Sequence, residues 1–336
     1  MKFTILFIFL FIVSGCVYKH NVYNDLITID VTKTDYPKKE LLIQDFMDVE
    51  YIALETKDNF YNQGLIQDIG QDIILVTNRN DDGDIFVYNR SGKALRKINR
   101  KGQGGEEYID FTQIVLDEVH EEIFVNDILS RKILVYDLFG KYKRSINPKK
   151  GYGSKYYTNI FNYDRDNLIC YDKYNKENAF VLVSKRNGSI TKEVRIPIKE
   201  KILIYQINGS QMVTPGYYPS IIPYNDDWVL VELSSDTIYT LSRDNNLNPF
   251  LVRTPPTQSR ENEVFLVIRF LTNQYYFMET FRNTYNFNKR TGFPRKYLVY
   301  DSQERAVYNY AIYNGDYTLK KEMYMVATTP VNHIIA

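Results

Sequence analysis

Cysteine, histidine and tryptophan are scarce in this sequence. Its 336 residues include two cysteines, three histidines and one tryptophan. The histidines, His20, His120 and His333, cannot form a zinc-type cluster with Cys170 at any recognised spacing. The sequence therefore predicts no metal site and no bound cofactor.

An excess of charge is also lacking. The 42 Lys and Arg against 41 Asp and Glu give a formal net charge of +1, without the basic footprint of a nucleic-acid binder. Nucleic acid is therefore not expected as a partner.

Sustained apolar periodicity of 3.6 residues is absent outside the N-terminal run, which argues against an α or α/β fold.

The chain opens with a short apolar run. Residues 2–13 read KFTILFIFLFIV, which is short for a membrane span and typical of a signal-peptide core. The following Val13-Ser14-Gly15-Cys16 resembles the bacterial lipobox, whose cysteine is lipidated and becomes the mature N-terminus. We expect a lipoprotein signal peptide over residues 1–15, acyl chains on Cys16 that hold the protein to a membrane, and a tether and N-terminal segment over residues 16–48.

Two further expectations follow from this N-terminus. The residues VYKHN after Cys16 contain no aspartate or acidic cluster, which favours outer-membrane attachment facing the periplasm over surface display. With Cys16 lipidated, Cys170 has no partner for an intrachain disulfide. Its setting, LICYD, predicts an inert thiol buried in a strand.

Aromatic residues are abundant, and the chain repeats. Thirty tyrosines and nineteen phenylalanines favour a β-rich protein. IFVYNRSGK (85–93) aligns with ILVYDLFGK (133–141) at an offset of 48 residues, and each segment reads as a hairpin with a second strand pair upstream. Four-stranded units of this length are typical of propeller blades.

Three weaker copies follow, which makes five blades. The positions that enter the last turn of each unit are Asn89, Asp137, Ser184, Ser242 and Asp301. Their spacings of 48, 47, 58 and 59 residues indicate longer loops in the last two blades. Insertions of this kind usually lie on one face of a repeat protein.

These segments carry a resemblance to a known family. The run YIALET (51–56), the segment IFVYNRSGKALRKINRKGQGGEEY and the later ILVYDLFGKYKRSI resemble the six-bladed, NHL-like β-propeller lipoproteins of Bacteroidetes-type bacteria over roughly residues 49–310. The resemblance implies an all-β, six-bladed propeller of four-stranded antiparallel blades, with its domain over residues 49–336. Only 26 residues follow Tyr310, so we expect either a truncated chain or an incomplete sixth blade.

Two loops invite a ligand interpretation. The glycine-rich NRKGQGGEEY (99–108) lacks the glycine spacing and following helix of a phosphate loop. We interpret it as the crossover between blades, with its glycines allowing a sharp turn. NRNDDGD (78–84) begins like a calcium loop but has Asn89 where a glutamate is required, and we interpret it as a hairpin tip facing the same side.

The function predicted is that of an envelope lipoprotein acting as a binding or scaffold module for a peptide, glycan or protein partner. The alternative is a propeller enzyme of lyase or hydrolase type with its active site at the axial mouth. No catalytic residue is assigned. A basic rim suited to an anionic partner is expected on the crossover side, and the candidate binding residues are Arg79, Asp82, Arg100, Gln103, Glu107, Arg131, Arg282 and Arg290.

Overall fold

The computed structural model describes residues 26–57, 60–79, 82–147, 156–216, 218–257, 263–318, 320 and 322–323, and the backbone of 327–328 and 334–335. Strands dominate these residues, whose only helical element is a 3₁₀ turn at Ile43–Asp45. No helix in them is long and apolar enough to cross a membrane. The expected signal peptide and Cys16 lie outside the described residues.

Five of the sheets form the blades, in chain order, and each is built on four antiparallel strands; two of these sheets also hold additional strands. Two strands precede them, β1 (Ile27–Asp30) and β2 (Lys38–Leu42). Blade A holds β3 (Leu65–Ile69), β4 (Ile73–Thr77), β5 (Asp84–Asn89) and β6 (Ala94–Asn99), and blade B holds β7 (Gln113–Asp117), β8 (Glu122–Asp127), β9 (Lys132–Asp137) and β10 (Tyr142–Ile146). Blade C holds β11 (Asn159–Asn162), β12 (Asn167–Tyr171), β13 (Phe180–Ser184) and β14 (Ile190–Val194).

The last two blades carry insertions. A hairpin of β15 (Gln206–Asn208) and β16 (Gln211–Val213) precedes blade D, which holds β17 (Ile221–Tyr224), β18 (Asp227–Leu230), β19 (Thr237–Leu241) and β20 (Leu247–Thr254). Blade E holds β21 (Val264–Leu271), β22 (Tyr275–Arg282), β25 (Arg295–Asp301) and β26 (Ala306–Tyr313), with the hairpin β23 (Tyr285–Asn286) and β24 (Thr291–Gly292) inserted. Short strands β27 (Glu322–Met323), β28 (Ala327–Thr328) and β29 (Ile334–Ile335) follow. The predicted all-β propeller is confirmed.

The last turns of blades A and B follow the predicted pattern, with Asp137 and Gly140 of blade B in the places of Asn89 and Gly92 of blade A. Asn89 Oδ1 accepts hydrogen bonds from the backbone N–H groups of Ser91 (3.1 Å) and Lys93 (2.9 Å). Gly92 adopts φ +79° three residues after Asn89. Such side-chain-capped turns with a left-handed glycine are intrinsic to tight hairpins, so the repeat in the sequence is a repeat of turn chemistry.

The core consists of apolar slabs between neighbouring blades. Val87 and Ile98 of blade A, for example, belong to the same buried cluster as Ile123 and Val125 of blade B. Cys170 lies in the slab between blades B and C and is fully buried. Burial raises the pKa of its thiol well above the usual range, as expected for an inert cysteine.

The N-terminal strands belong to the propeller. Strand β1 pairs in parallel with β20 at the outer edge of blade D, and β2 pairs in parallel with β26 at the outer edge of blade E. These pairings correct the expected domain boundary, because the segment 26–48 forms part of the fold and not a tether. They also cover two edges that would otherwise be open to pairing with another chain.

The chain between β2 and β3 fills the position of a sixth blade. Leu41 and Ile43 pack on the face of blade E that points away from blade D. Ile52 and Leu54 pack on the face of blade A that points away from blade B. Segment 50–55 replaces an outer strand: Gly92 of blade A is packed against Ile52 and Ala53, as Gly140 of blade B is packed against Ile98. In the described residues the sixth blade is therefore incomplete in strands, as expected, but its space is occupied.

The propeller has two distinct ends. Because strands alternate in direction within a blade, the hairpins between second and third strands lie at the same end as the crossovers to the next blade. We call this end the crossover face; it includes residues 78–79, 82–83, 100–112, 128–131, 172–179, 195–216, 218–220, 231–236 and 283–294. The opposite end, the hairpin face, holds the other hairpins of each blade.

Candidate ligand-binding pocket on the crossover face

The glycine-rich segment 99–108 is the crossover from β6 to β7, as predicted. Its glycines, however, do not serve a left-handed turn, since none of Gly102, Gly104 and Gly105 has a positive φ. A Cβ on Gly102 or Gly104 would press into the carboxylate of Glu107, whose Oε2 accepts a hydrogen bond from the Gly104 N–H (2.8 Å). Two of the glycines therefore allow Glu107 to pack closely against the backbone. This corrects the expectation that they serve a sharp turn of the chain.

Tyr108 fixes this crossover to the neighbouring hairpin tip. Its hydroxyl donates to the carbonyl of Gly83 (2.6 Å) and accepts from the backbone N–H of Arg100 (2.9 Å). Asn99 Nδ2 also donates to the carbonyl of Asp82 (3.0 Å). The tip around Asp82 and the crossover thus lie on the same side, as the sequence predicted.

All eight candidate binding residues lie in, or next to, connections of the crossover face, but most are dispersed there. Glu107 is engaged within its own loop, and Asp82 Oδ2 accepts from Asn78 Nδ2 (2.6 Å). Arg100 Nε donates to the carbonyl of Gly140 of the next blade (2.7 Å). Arg79, Gln103, Arg282 and Arg290 are exposed, and no contact in the described chain joins them. Anion binding by this set remains a prediction, and one member, Arg131, lies beside a pocket.

That pocket, a cavity of about 530 Å³, opens on the crossover face between blades B, C and D. Its aromatic lining consists of Tyr156, Tyr171, Tyr174, Tyr205 and Tyr218. Ile128, Ile202, Leu203, Ile204, Met212 and Leu233 supply the apolar lining. Concave sites of this size and composition are the usual ligand sites of proteins.

The hairpin β15–β16 forms one wall of the pocket. Gln206 Nε2 donates to both the backbone and side-chain oxygens of Asn283 (3.0 Å each), which ties the hairpin to the insertion of blade E. Met212 lines the pocket yet is 64% exposed, and Ile207 of the paired strand is 57% exposed. Adjacent exposed apolar side chains are typical of an interaction surface.

A buried ion pair forms the polar part of the wall. Lys201 Nζ lies 2.6 Å from Glu232 Oε2, and the two side chains are only 3% and 2% exposed. Glu232 also accepts from the Tyr171 hydroxyl (3.2 Å) and the Ser234 N–H (3.0 Å). Burial raises the pKa of Tyr171 well above its usual range, and the Glu232 charge acts in the same direction. The wall is therefore neutral overall and its groups are hydrogen-bonded to one another.

The rim of the pocket near blades B and C differs from this neutral wall, because it carries cations beside a pair of tyrosines. The rings of Tyr156 and Tyr174 lie 6.0 Å apart, and Lys173 Nζ lies 5.0 Å from the Tyr174 ring centre. Burial raises the pKa of Tyr156 to about 12, and the positive charge of Arg131 opposes this rise. Two cations therefore flank this tyrosine pair.

A second cavity, of about 690 Å³, lies on the hairpin face and is rich in carboxylates. Asp68 accepts hydrogen bonds from the backbone N–H groups of Leu116 (2.8 Å) and Ile69 (2.9 Å), and burial raises its pKa to about 7. Lys185 Nζ lies 2.7 Å from Asp117 Oδ2. Asp68 and Asp117 thus join neighbouring blades. In the described residues no three His, Cys, Asp or Glu side chains are placed to hold a metal ion.

Comparison with known proteins identifies the family. The sequence model of the DUF5128 family, described as a 6-bladed beta-propeller, matches residues 19–336. The chain belongs to this family. None of the curated proteins matches the DUF5128 chain.

Several solved structures are similar to this chain. A Bacteroides fragilis protein described as exported is 16% identical, with a TM-score of 0.53 over 81% of this chain and 80% of that one. A member of the DUF4221 family from Bacteroides vulgatus is 10% identical (TM-score 0.48; 76% of this chain and 83% of that chain). A virginiamycin B lyase from Staphylococcus aureus is 14% identical (TM-score 0.40; 66% and 62%). At these identities the likeness concerns the fold alone.

Sequence reasoning missed most of the pocket. Its residues come from connections and strands scattered between positions 112 and 233, so no local motif contains them. One signal was present: Asn208-Gly209 between two apolar segments is the commonest mark of a tight hairpin. Exposed Ile207 and Met212 on that hairpin could have directed attention to it.

Proposed function

We propose that this DUF5128 protein is an envelope lipoprotein whose propeller binds a partner molecule in the tyrosine-lined pocket of the crossover face. The observation that carries the proposal is the pocket itself, a concave apolar and aromatic cavity bordered by a hairpin with exposed Ile207 and Met212. Aromatic side chains with polar tips are enriched where proteins bind ligands and partners.

The chemistry of the pocket supports binding more than catalysis. Its carboxylate, Glu232, is neutralised by Lys201 and hydrogen-bonded to Tyr171 and Ser234. An enzyme of the lyase or hydrolase type would need acid and base groups free to reach a substrate. The groups present offer shape, apolar area and hydrogen-bonding edges.

Binding to the pocket is tested with phenylnaphthylamine, an uncharged apolar dye that fluoresces when it leaves water. We expect saturable binding by the purified protein and at least about tenfold weaker binding by Met212→Glu, since the apolar ligand would have to cover a carboxylate that is hydrated in the free protein. Val119 is 72% exposed on the hairpin face, so Val119→Glu is the matched control and should bind normally. Absence of saturable binding, or an equal loss in the control, would contradict the proposal.

The lipid anchor is proposed from the sequence, with support from the fold neighbour described as exported. We also propose attachment to the outer membrane facing the periplasm, because the residues after Cys16 contain no aspartate or acidic cluster. We expect labelled palmitate to be incorporated into the protein in cells and the label to disappear in Cys16→Ser, which should fractionate as soluble. A Cys16→Ser protein that stays labelled in the membrane fraction would refute lipidation.

A further inference from the structure

Two cations at the pocket rim have no acidic partner in the described part of the chain. Arg131 is exposed in the turn between β8 and β9, beside Ile128 of the pocket lining, and Lys173 is half-buried over the Tyr174 ring. The pocket's own carboxylate, Glu232, is already paired with Lys201. A ligand that fills the apolar cavity would therefore meet the positive charges of Arg131 and Lys173 at this rim, where Asp172 is the neighbouring carboxylate.

We propose that the pocket recognises the carboxyl-terminal end of a peptide with apolar side chains. The last side chains occupy the tyrosine-lined cavity, and the terminal carboxylate lies between Arg131 and Lys173. This inference rests on the proposed function, since it assigns a ligand class to the same pocket. Two-point hydrogen bonding from a guanidinium is the strongest common recognition of a carboxylate.

The hairpin beside the pocket favours a peptide over other apolar carboxylates. Within the described residues, β16 pairs only with β15. The chain that continues from it through Thr214, Pro215 and Gly216 borders the cavity. An extended peptide can add to such an edge by main-chain hydrogen bonds while alternate side chains enter a pocket. A fatty acid has no backbone to use this edge.

The backbone at Arg131 provides a clean test variant. Arg131 has φ +59°, a left-handed conformation that favours glycine. Arg131→Gly therefore removes the charge without straining the turn, and its melting temperature should be no lower than that of the native protein. Arg305 is exposed in the hairpin between β25 and β26, on the hairpin face, and has φ +53°, so Arg305→Gly is a control with the same change of charge and backbone.

Binding is measured by calorimetry with the tripeptide Leu-Leu-Phe, as the free acid and as the C-terminal amide. We expect the acid to bind at least about tenfold more tightly than the amide. Arg131→Gly and Lys173→Met should each reduce this ratio, chiefly by weakening the acid, whereas Arg305→Gly should leave the ratio unchanged.

Three results would overturn the inference. The acid and amide could bind equally, Arg131→Gly could leave their ratio unchanged, or dodecanoate could bind the pocket while neither peptide does. In each case, retained dye binding that is sensitive to Met212→Glu would leave the proposed function standing. Loss of dye binding as well would reject both the proposed function and the ligand class.

Discussion

Replacing Lys201 by methionine is expected to lower the free energy of unfolding by about 3–5 kcal/mol, because it leaves the buried Glu232 carboxylate without its counter-charge. The lysine ammonium lies 2.6 Å from that carboxylate, and both side chains are almost fully buried. Methionine keeps most of the volume of the lysine stem, so the lost charge dominates the effect. Guanidinium unfolding measures it, provided the slope of the transition is unchanged.

A second variant separates charge from packing. Lys201→Met combined with Glu232→Gln removes both charges but keeps an oxygen that can accept from Ser234 or Tyr171. Replacing both partners of a buried pair by neutral groups costs far less than removing one, so the double variant should recover more than half of the loss. A loss of stability under about 1 kcal/mol for Lys201→Met would mean that water reaches the pair. That result would contradict the burial of the pair in the structure.

Replacing Gly92 by alanine is expected to lower stability by about 2–4 kcal/mol. Gly92 adopts φ +79°, and a Cβ there would overlap the carbonyl oxygen of Ala53. That carbonyl belongs to segment 50–55, which occupies the outer-strand position of the sixth blade. The substitution therefore strains the backbone and pushes away the segment that closes the ring. Chemical denaturation reports the total loss.

Alanine substitutions at two other glycines separate the backbone strain from the steric overlap that Gly92→Ala causes. Gly64 has φ +71°, and no atom lies within 4 Å of the position that an alanine methyl group would take, so Gly64→Ala measures the backbone strain alone, about 1–2 kcal/mol. Gly105 has open space and no positive φ, so Gly105→Ala should change stability by under about 0.5 kcal/mol. A Gly92→Ala loss no larger than that of Gly64→Ala would contradict the role of segment 50–55 in ring closure.

The blades were predictable because their signal is local. Each hairpin depends on alternating apolar residues and on a turn whose capping side chain and glycine are neighbours in sequence, as at Asn89 and Gly92. The filling of the sixth position was not predictable in the same way. Residues such as Ile43, Ile52 and Leu54 pack there from an irregular segment with no periodic pattern, so only the three-dimensional gap between blades E and A explains their apolar character.

The site was predicted only in part for a related reason. Loop arginines could be assigned to the crossover face, since strand order alone decides the end at which each loop lies. Their individual surroundings depend on how blades pack: Arg100 donates to Gly140 of the next blade, whereas Arg131 lies beside Tyr156. The pair of Lys201 and Glu232 joins the long crossover before blade D to that blade, and nothing in either local sequence indicates the partner.

A crystal structure of the protein with bound phenylnaphthylamine would show directly whether the tyrosine-lined pocket holds a ligand. We expect electron density for the dye in the crossover-face cavity, in contact with Tyr205, Tyr218 and Met212. Dye bound instead in the hairpin-face cavity beside Trp228, or absent from both cavities at saturating concentration, would contradict the assignment of the tyrosine-lined pocket as the ligand site.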